Sequence, residues 1–176
     1  MKNLIPFILL ILYAMAWTIF DFQKGTDLGN WRIVEDQVMG GVSTGKFYLN
    51  VEGHAVFKGT VSLENNGGFV SVDYDMPKTE IGNHEFIAVR LKGDGKNYQL
   101  RVKNDDQVYY SYNYEFGTSG DWEEVNIPLE KMSPTYRGRS LNKPDFDHSH
   151  LDQLTFLIGN NKNEDFQLLI DKIELK

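Results

Sequence analysis

"GGVSTGKFYLNV", residues 40–51, decides between two fold classes. With Gly40 and Gly45-Lys46 it comes one residue short of the phosphate-cradling loop G-x-x-x-x-G-K-[ST], whose last hydroxyl holds magnesium. Phe47 stands where that hydroxyl belongs. The loop must also open a helix, because the N–H groups of a helix start hold the phosphate. Instead of a helix pattern, apolar Phe47, Leu49 and Val51 alternate with Tyr48, Asn50 and Glu52. That is the period of a strand with one buried and one wet face. The stretch therefore reads as a glycine-rich loop launching a strand, and not as a nucleotide site.

The same period of two runs outward through the chain. It joins Ala55, Phe57, Val61 and Leu63; Val70, Val72 and Tyr74; Ile87, Val89 and Leu91; and Tyr98, Leu100 and Val102. It continues in Tyr110, Tyr112, Tyr114 and Phe116; in Val125, Ile127 and Leu129; and in Leu154, Phe156 and Ile158. Phe166, Leu168 and Ile170 begin the last run, and Ile173 and Leu175 carry it on with shifted parity, the mark of a bulge. Turn clusters separate the runs: Glu52-Gly53, Asn65-Asn66-Gly67-Gly68, Gly93-Asp94-Gly95, Asn104-Asp105-Asp106, Gly117 to Asp121 and Asn160 to Asp165. No helical period of 3.6 is found after residue 20, so a parallel α/β sheet lacks its crossover helices. The expectation is an all-β antiparallel sandwich or barrel. Asn65-Asn66-Gly67-Gly68 reads as a hairpin turn, since Asn and Gly tolerate positive φ. Glu130 to His150 has no clear period and reads as a long irregular loop.

At 176 residues the length fits one domain over 17–176. A net charge of -7 and the lack of any Lys/Arg run exclude a nucleic-acid partner. The absence of cysteine excludes disulfides, thiol catalysis and thiolate metal sites. Residues 1–16, MKNLIPFILLILYAMA, combine Lys2, an apolar block from Leu4 to Tyr13 and the small pair Ala14 and Ala16. They read as a cleaved export signal, placing the protein in the periplasm or envelope. The alternative is an uncleaved membrane anchor over residues 4–20.

No residue is singled out as catalytic, and no cofactor is implied. Ser43 has no evident His partner in the sequence. Asp145 to Asp152, with His148 and His150, is the metal candidate by composition, but its spacing matches no standard zinc motif. Tyr110, Tyr112 and Tyr114 share the parity of Leu100 and Val102 and read as core, while Tyr109 falls on the polar face near Arg101 or Lys103.

Several blocks together resemble one family. Trp31, Asp36, Val38-Met39-Gly40-Gly41-Val42-Ser43 and Gly45 form the first, and residues 57–72, FKGTVSLENNGGFVSV, the second. Ile19 to Phe22, Asp121-Trp122 through Leu129, Tyr136-Arg137-Gly138-Arg139 and Phe166 to Leu168 extend the match over nearly all of the chain beyond the leader. They are similar to the complex I intermediate-associated protein 30 family of NADH:ubiquinone oxidoreductase assembly factors. The resemblance implies a galactose-binding-like jelly-roll β-sandwich. It implies a non-enzymatic assembly factor or chaperone that binds a protein partner, a respiratory-complex subunit, and it brings no catalytic residues. The family's signature maps onto Asp36, Met39, Gly40, Gly41, Ser43, Asn65, Asn66, Gly67, Gly68, Arg137 and Arg139, expected in loops at one end of the sandwich. Arg137 and Arg139 either contact carboxylates of a partner or pair internally with Asp36 or Glu35. A carbohydrate-binding module is the rival from another class, and a small hydrolase a third.

Overall fold

A computed structural model describes residues 15–105 and 107–176, and of Val38 and Met39 the backbone alone. The leader reading rests on residues 1–14, outside the described residues, and on Met15 and Ala16 ahead of the first strand. That strand, β1 (Trp17–Asp21), pairs antiparallel with the C-terminal strand, so Trp17 to Phe20 form part of the sandwich.

The fold is an antiparallel two-sheet β-sandwich, as the alternation predicts. The six-stranded sheet runs β3 (Thr44–Leu49), β4 (Ala55–Val61), β13 (Glu164–Leu175), β6 (Phe86–Lys92) and β9 (Trp122–Pro128), with β1 also pairing β13. The seven-stranded sheet runs β11 (Arg139–Ser140), β10 (Ser133–Tyr136), β8 (Ser111–Gly117), β7 (Asn97–Lys103), β12 (His150–Ile158), β5 (Val70–Glu80) and β2 (Trp31–Glu35). One face of every long strand turns inward. Phe57, Val72, Val89, Leu100, Phe156, Leu168 and Ile170 are among the residues sealed from water between the sheets. At one end the space is filled by aromatic rings, with Trp31 stacked on Tyr74 at 4.6 Å and on Phe47 at 4.9 Å. The bulge predicted in the last strand is present: the register of β13 against β6 shifts between Ile170 and Lys172.

Four expectations are corrected. Val51 is 86% exposed, because the strand stops at Leu49. Asn50 ends it by taking the N–H groups of Glu52, Gly53 and His54 on one side-chain oxygen. Leu63 is 43% exposed for the same kind of reason, lying beyond the end of β4. Asn65-Asn66-Gly67-Gly68 is no hairpin turn: β4 and β5 belong to different sheets, and the segment is a crossover between them. Asn65 and Asn66 do adopt positive φ, at 55° and 62°. Finally, the stretch 130–150 is not all loop. Residues 133–140 form a hairpin on the sheet edge, and Met132 and Phe146 pin its flanks into the core.

Candidate functional site

Two sheet-to-sheet crossovers meet at one end of the sandwich. The first leaves β2, makes a 3₁₀ turn at Asp36–Met39 and enters β3; the second joins β4 to β5. Asp36 lies between them and is fully buried. One carboxylate oxygen, Oδ1, accepts the Ser43 N–H at 3.0 Å. The other accepts the Ser43 hydroxyl at 2.5 Å, the Gly68 N–H at 2.7 Å and the Phe69 N–H at 3.4 Å. Ser43 Oγ in turn accepts the Ser62 N–H at 3.0 Å. Burial alone pushes the Asp36 carboxyl up, but the Ser43 hydroxyl and the Gly68, Ser43 and Phe69 amides outweigh it. The group is held below its ordinary value.

One glycine in each signature block, Gly41 and Gly67, is explained by this carboxylate. A Cβ on Gly41 would stand 2.2 Å from Asp36 Oδ1, and one on Gly67 would stand 2.5 Å from Oδ2. Gly40 closes the 3₁₀ turn at φ 88°, its N–H bonded to the Gln37 carbonyl at 2.9 Å. Of Met39 the backbone alone is described, as the last residue of that turn. Ser43 is buried and committed to Asp36 and Ser62, so it offers no exposed nucleophile.

Arg137 and Arg139 lie elsewhere. β2 is one edge of the seven-stranded sheet and the β10–β11 hairpin is the other. The hairpin turn also sits beside Ser111, at the end of the sheet away from Asp36. The signature residues thus occupy diagonal corners, about 24 Å apart across five strand spacings, and not one end. Internal pairing is ruled out by the same geometry: Asp36 is filled by Ser43, Gly68 and Phe69, and Glu35 by the Gly45 N–H and Gln37. Among the described residues neither arginine makes an ion pair. Arg137, at φ 49°, lays its guanidinium 5.3 Å from the centre of the Tyr136 ring.

Around that hairpin is a cluster that sequence reasoning missed. Tyr109 lies beside Lys103, whose Nζ donates to the Val108 carbonyl at 2.9 Å, but its ring turns to the hairpin. It precedes β8, with 60% of its surface exposed, and meets Tyr136 edge-to-face at 5.1 Å. Lys143 Nζ lies 5.2 Å over the Tyr110 ring. Behind them, His148 Nε2 is 2.7 Å from the Tyr112 hydroxyl, which burial and Tyr110 keep protonated. Among the described residues, Asp145 to Asp152 gather no group of three or more ligating side chains. The signal in the sequence was the aromatic repeat at 109–112 taken together with Tyr136, which alternation alone could not bring together.

Two antiparallel sheets packed face to face and joined by sheet-to-sheet crossovers form a jelly-roll β-sandwich. The chain belongs to the complex I intermediate-associated protein 30 family, whose description matches residues 20–170. It is 28% identical over 167 residues to an uncharacterized protein of Schizosaccharomyces pombe, covering 82% of this chain and 76% of that one. It is 22% identical over 153 residues to the mitochondrial complex I intermediate-associated protein 30 of Mus musculus, covering 73% of this chain and 46% of the mouse protein. Among solved structures, the family 11 carbohydrate-binding module of Clostridium thermocellum, in complex with a β-1,3-1,4-mixed-linked tetrasaccharide, superposes with a TM-score of 0.64 at 18% identity, covering 91% and 94% of the two chains. The agarase AgWH50C superposes at 0.63 with 14% identity, covering 92% of this chain and 24% of its own.

Proposed function

We propose that this chain is a non-enzymatic assembly module that holds a protein partner through the corner formed by Tyr109, Tyr136, Arg137 and Arg139. The observation that carries the reading is the division of labour among the signature residues. Asp36, Gly41, Ser43, Gly67 and Gly68 are spent on internal contacts. Arg137 and Arg139 do no such work, and they flank two exposed tyrosines. Aromatic and arginine side chains are the residue types that dominate binding at protein interfaces. On a chain of net charge -7, a local basic and aromatic corner suits an acidic partner surface. In keeping with the family, that partner is a respiratory-complex subunit, and the leader of residues 1–16 brings the two together at an envelope membrane after export.

Pull-down from native membranes, with mass spectrometry, tests this. The wild-type chain is expected to recover respiratory-complex subunits, and the Arg137→Glu/Arg139→Glu variant to lose them while its melting temperature stays unchanged. Recovery of envelope proteins alone, or equal recovery of the same subunits by the variant, would overturn the reading.

A further inference from the structure

The outer face of the seven-stranded sheet is not the evenly wet surface that alternation predicts. Residues pointing outward on its central strands are nearly sealed: Ser71 is 4% exposed, Leu157 7% and Thr155 9%. A sheet face shades its own short side chains in this way when it is curved and flanked by longer groups.

Along this face one row crosses the strands in continuous register. Arg32 faces Asp73, Asp73 faces Thr155, Thr155 faces Arg101, and Arg101 faces Asn113. The Thr155 hydroxyl donates to Asp73 at 2.9 Å, and Arg32 lies 3.5 Å from the same carboxylate. Beyond Thr155 the row is unfinished. Arg101 gives Nε and Nη2 to a single neutral acceptor, Gln99 Oε1, and among the described residues no carboxylate lies within ion-pair distance of it. Its guanidinium is buried enough that its proton affinity is lowered. Next to it, Asn113 Oδ1 is shielded from water and has no hydrogen-bond partner among the described residues. Buried polar groups are nearly always partnered, and an unpartnered one costs stability. A guanidinium with only a neutral partner, beside an unpartnered carbonyl in the same register row, points to a place for a ligand.

The chemistry of the row narrows that ligand. Donors and acceptors alternate: Arg32 donates, Asp73 accepts, Thr155 does both, Arg101 donates and Asn113 does both. The charges on the face offset one another, with Arg32, Arg101 and Lys103 against Asp73, Asp75 and Glu115, so neither an anion nor a cation is favoured. A hydroxyl group donates one hydrogen bond and accepts two, and a chain of them meets such a row at every step.

We propose that this face is a binding site for a neutral saccharide chain, laid across the strands along Arg32, Asp73, Thr155, Arg101 and Asn113. It is independent of the hairpin corner, and stands whether or not that corner holds a protein.

The test is a proton–nitrogen NMR titration of the full-length chain in a sugar-free detergent. The probes are neutral tetrasaccharides built from glucose (β-1,3-1,4 and α-1,4 linked), mannose, galactose and xylose, with a sulfated chondroitin tetrasaccharide as the anionic control. At least one neutral probe is expected to shift the Arg101 Nε–H and Asn113 side-chain signals saturably, while the sulfated one does not. Arg101→Gln and Thr155→Val should each weaken that binding at least tenfold with the remaining spectrum intact. The proposal fails if no neutral probe gives a saturable shift on this face, if the sulfated probe binds as well, if the shifts lie at Tyr136–Arg139, or if they survive both substitutions.

Discussion

The Asp36 carboxylate accepts the Gly68 backbone N–H at 2.7 Å, and through that bond two crossovers distant in sequence are fastened at one end of the sandwich. Both connections pass from one sheet to the other, so the bond links the layers where no strand pairing can. It also explains why an acid is needed. A carboxylate offers acceptor sites enough for three amides and a hydroxyl converging on one point, which no neutral side chain matches.

Asp36→Ala should therefore be among the most damaging single substitutions in the chain. It strands the Ser43, Gly68 and Phe69 amides in a buried site, each unmet donor costing about 1–3 kcal/mol. The expected loss is about 3–5 kcal/mol, read from the urea midpoint at constant slope. The pH dependence has a definite sign. The folded group is held below its unfolded value of 3.8, so its contribution is complete above that pH and is lost as pH falls through the lower folded value. The gap between wild type and Asp36→Ala should narrow only below about pH 4. A loss under about 1 kcal/mol at pH 7 would show that the carboxylate is not the fastening.

Gly41 and Gly40 are neighbours with different reasons for being glycine. A Cβ on Gly41 would overlap the Asp36 carboxylate at 2.2 Å, whereas Gly40 faces open space at φ 88°. Gly40→Ala should cost about 1–2 kcal/mol, the left-handed penalty alone. Gly41→Ala must displace the carboxylate from its amides, and should cost more, about 3 kcal/mol, by the same unmet-donor reckoning as Asp36→Ala. Thermal melts of the pair check the order, and a reversed order would refute the account.

The strands were legible because each carries its own evidence: Leu100 and Val102, or Val70 and Val72, alternate with polar neighbours whatever the rest of the chain does. The Asp36 site was legible only as a pattern. Its glycines stood out in the sequence, but the reason for Gly41 and Gly67 is the Asp36 carboxylate, 32 residues from the Gly68 amide it holds, and no local period encodes that pairing. Asn65-Asn66-Gly67-Gly68 was misread for the same reason, since positive φ serves a crossover as well as a hairpin. The row on the outer sheet face was hidden differently. Arg32, Asp73, Thr155, Arg101 and Asn113 each sit at the polar positions of a good strand, and only the strand order places them side by side.

Arg137 turns a hairpin and supports nothing behind it. Arg137→Ala is expected to change stability by less than about 1 kcal/mol, as for a surface position. Arg137→Gly should be neutral or slightly stabilising, because φ 49° suits glycine and the two effects, relieved strain and greater chain freedom, are of similar size. Chemical denaturation of both variants is the check. A loss above about 2 kcal/mol for Arg137→Ala would mean a structural role.

Asp73 offers the opposite sign to Asp36. Burial holds its carboxyl above the ordinary value; the Thr155 hydroxyl and Arg32 oppose that shift without cancelling it, and Asp75 adds to it. The ionised form is thus less welcome in the folded chain than in the unfolded one. Stability falls as pH rises from 3.8 through the higher folded value. Asn cannot ionise, yet its carbonyl still accepts from Thr155, and Arg32 retains Asp75 at 3.2 Å. Asp73→Asn should then melt no lower than wild type at pH 7. Any advantage should vanish as the pH is brought below about 4, where the wild-type acid is protonated as well. Residues kept at a cost to stability are commonly kept for function. The same variant is therefore expected to weaken saccharide binding on the outer sheet face while it gains or holds in melting temperature. A drop of several degrees at pH 7 would make Asp73 a structural acid, and remove it from the binding row.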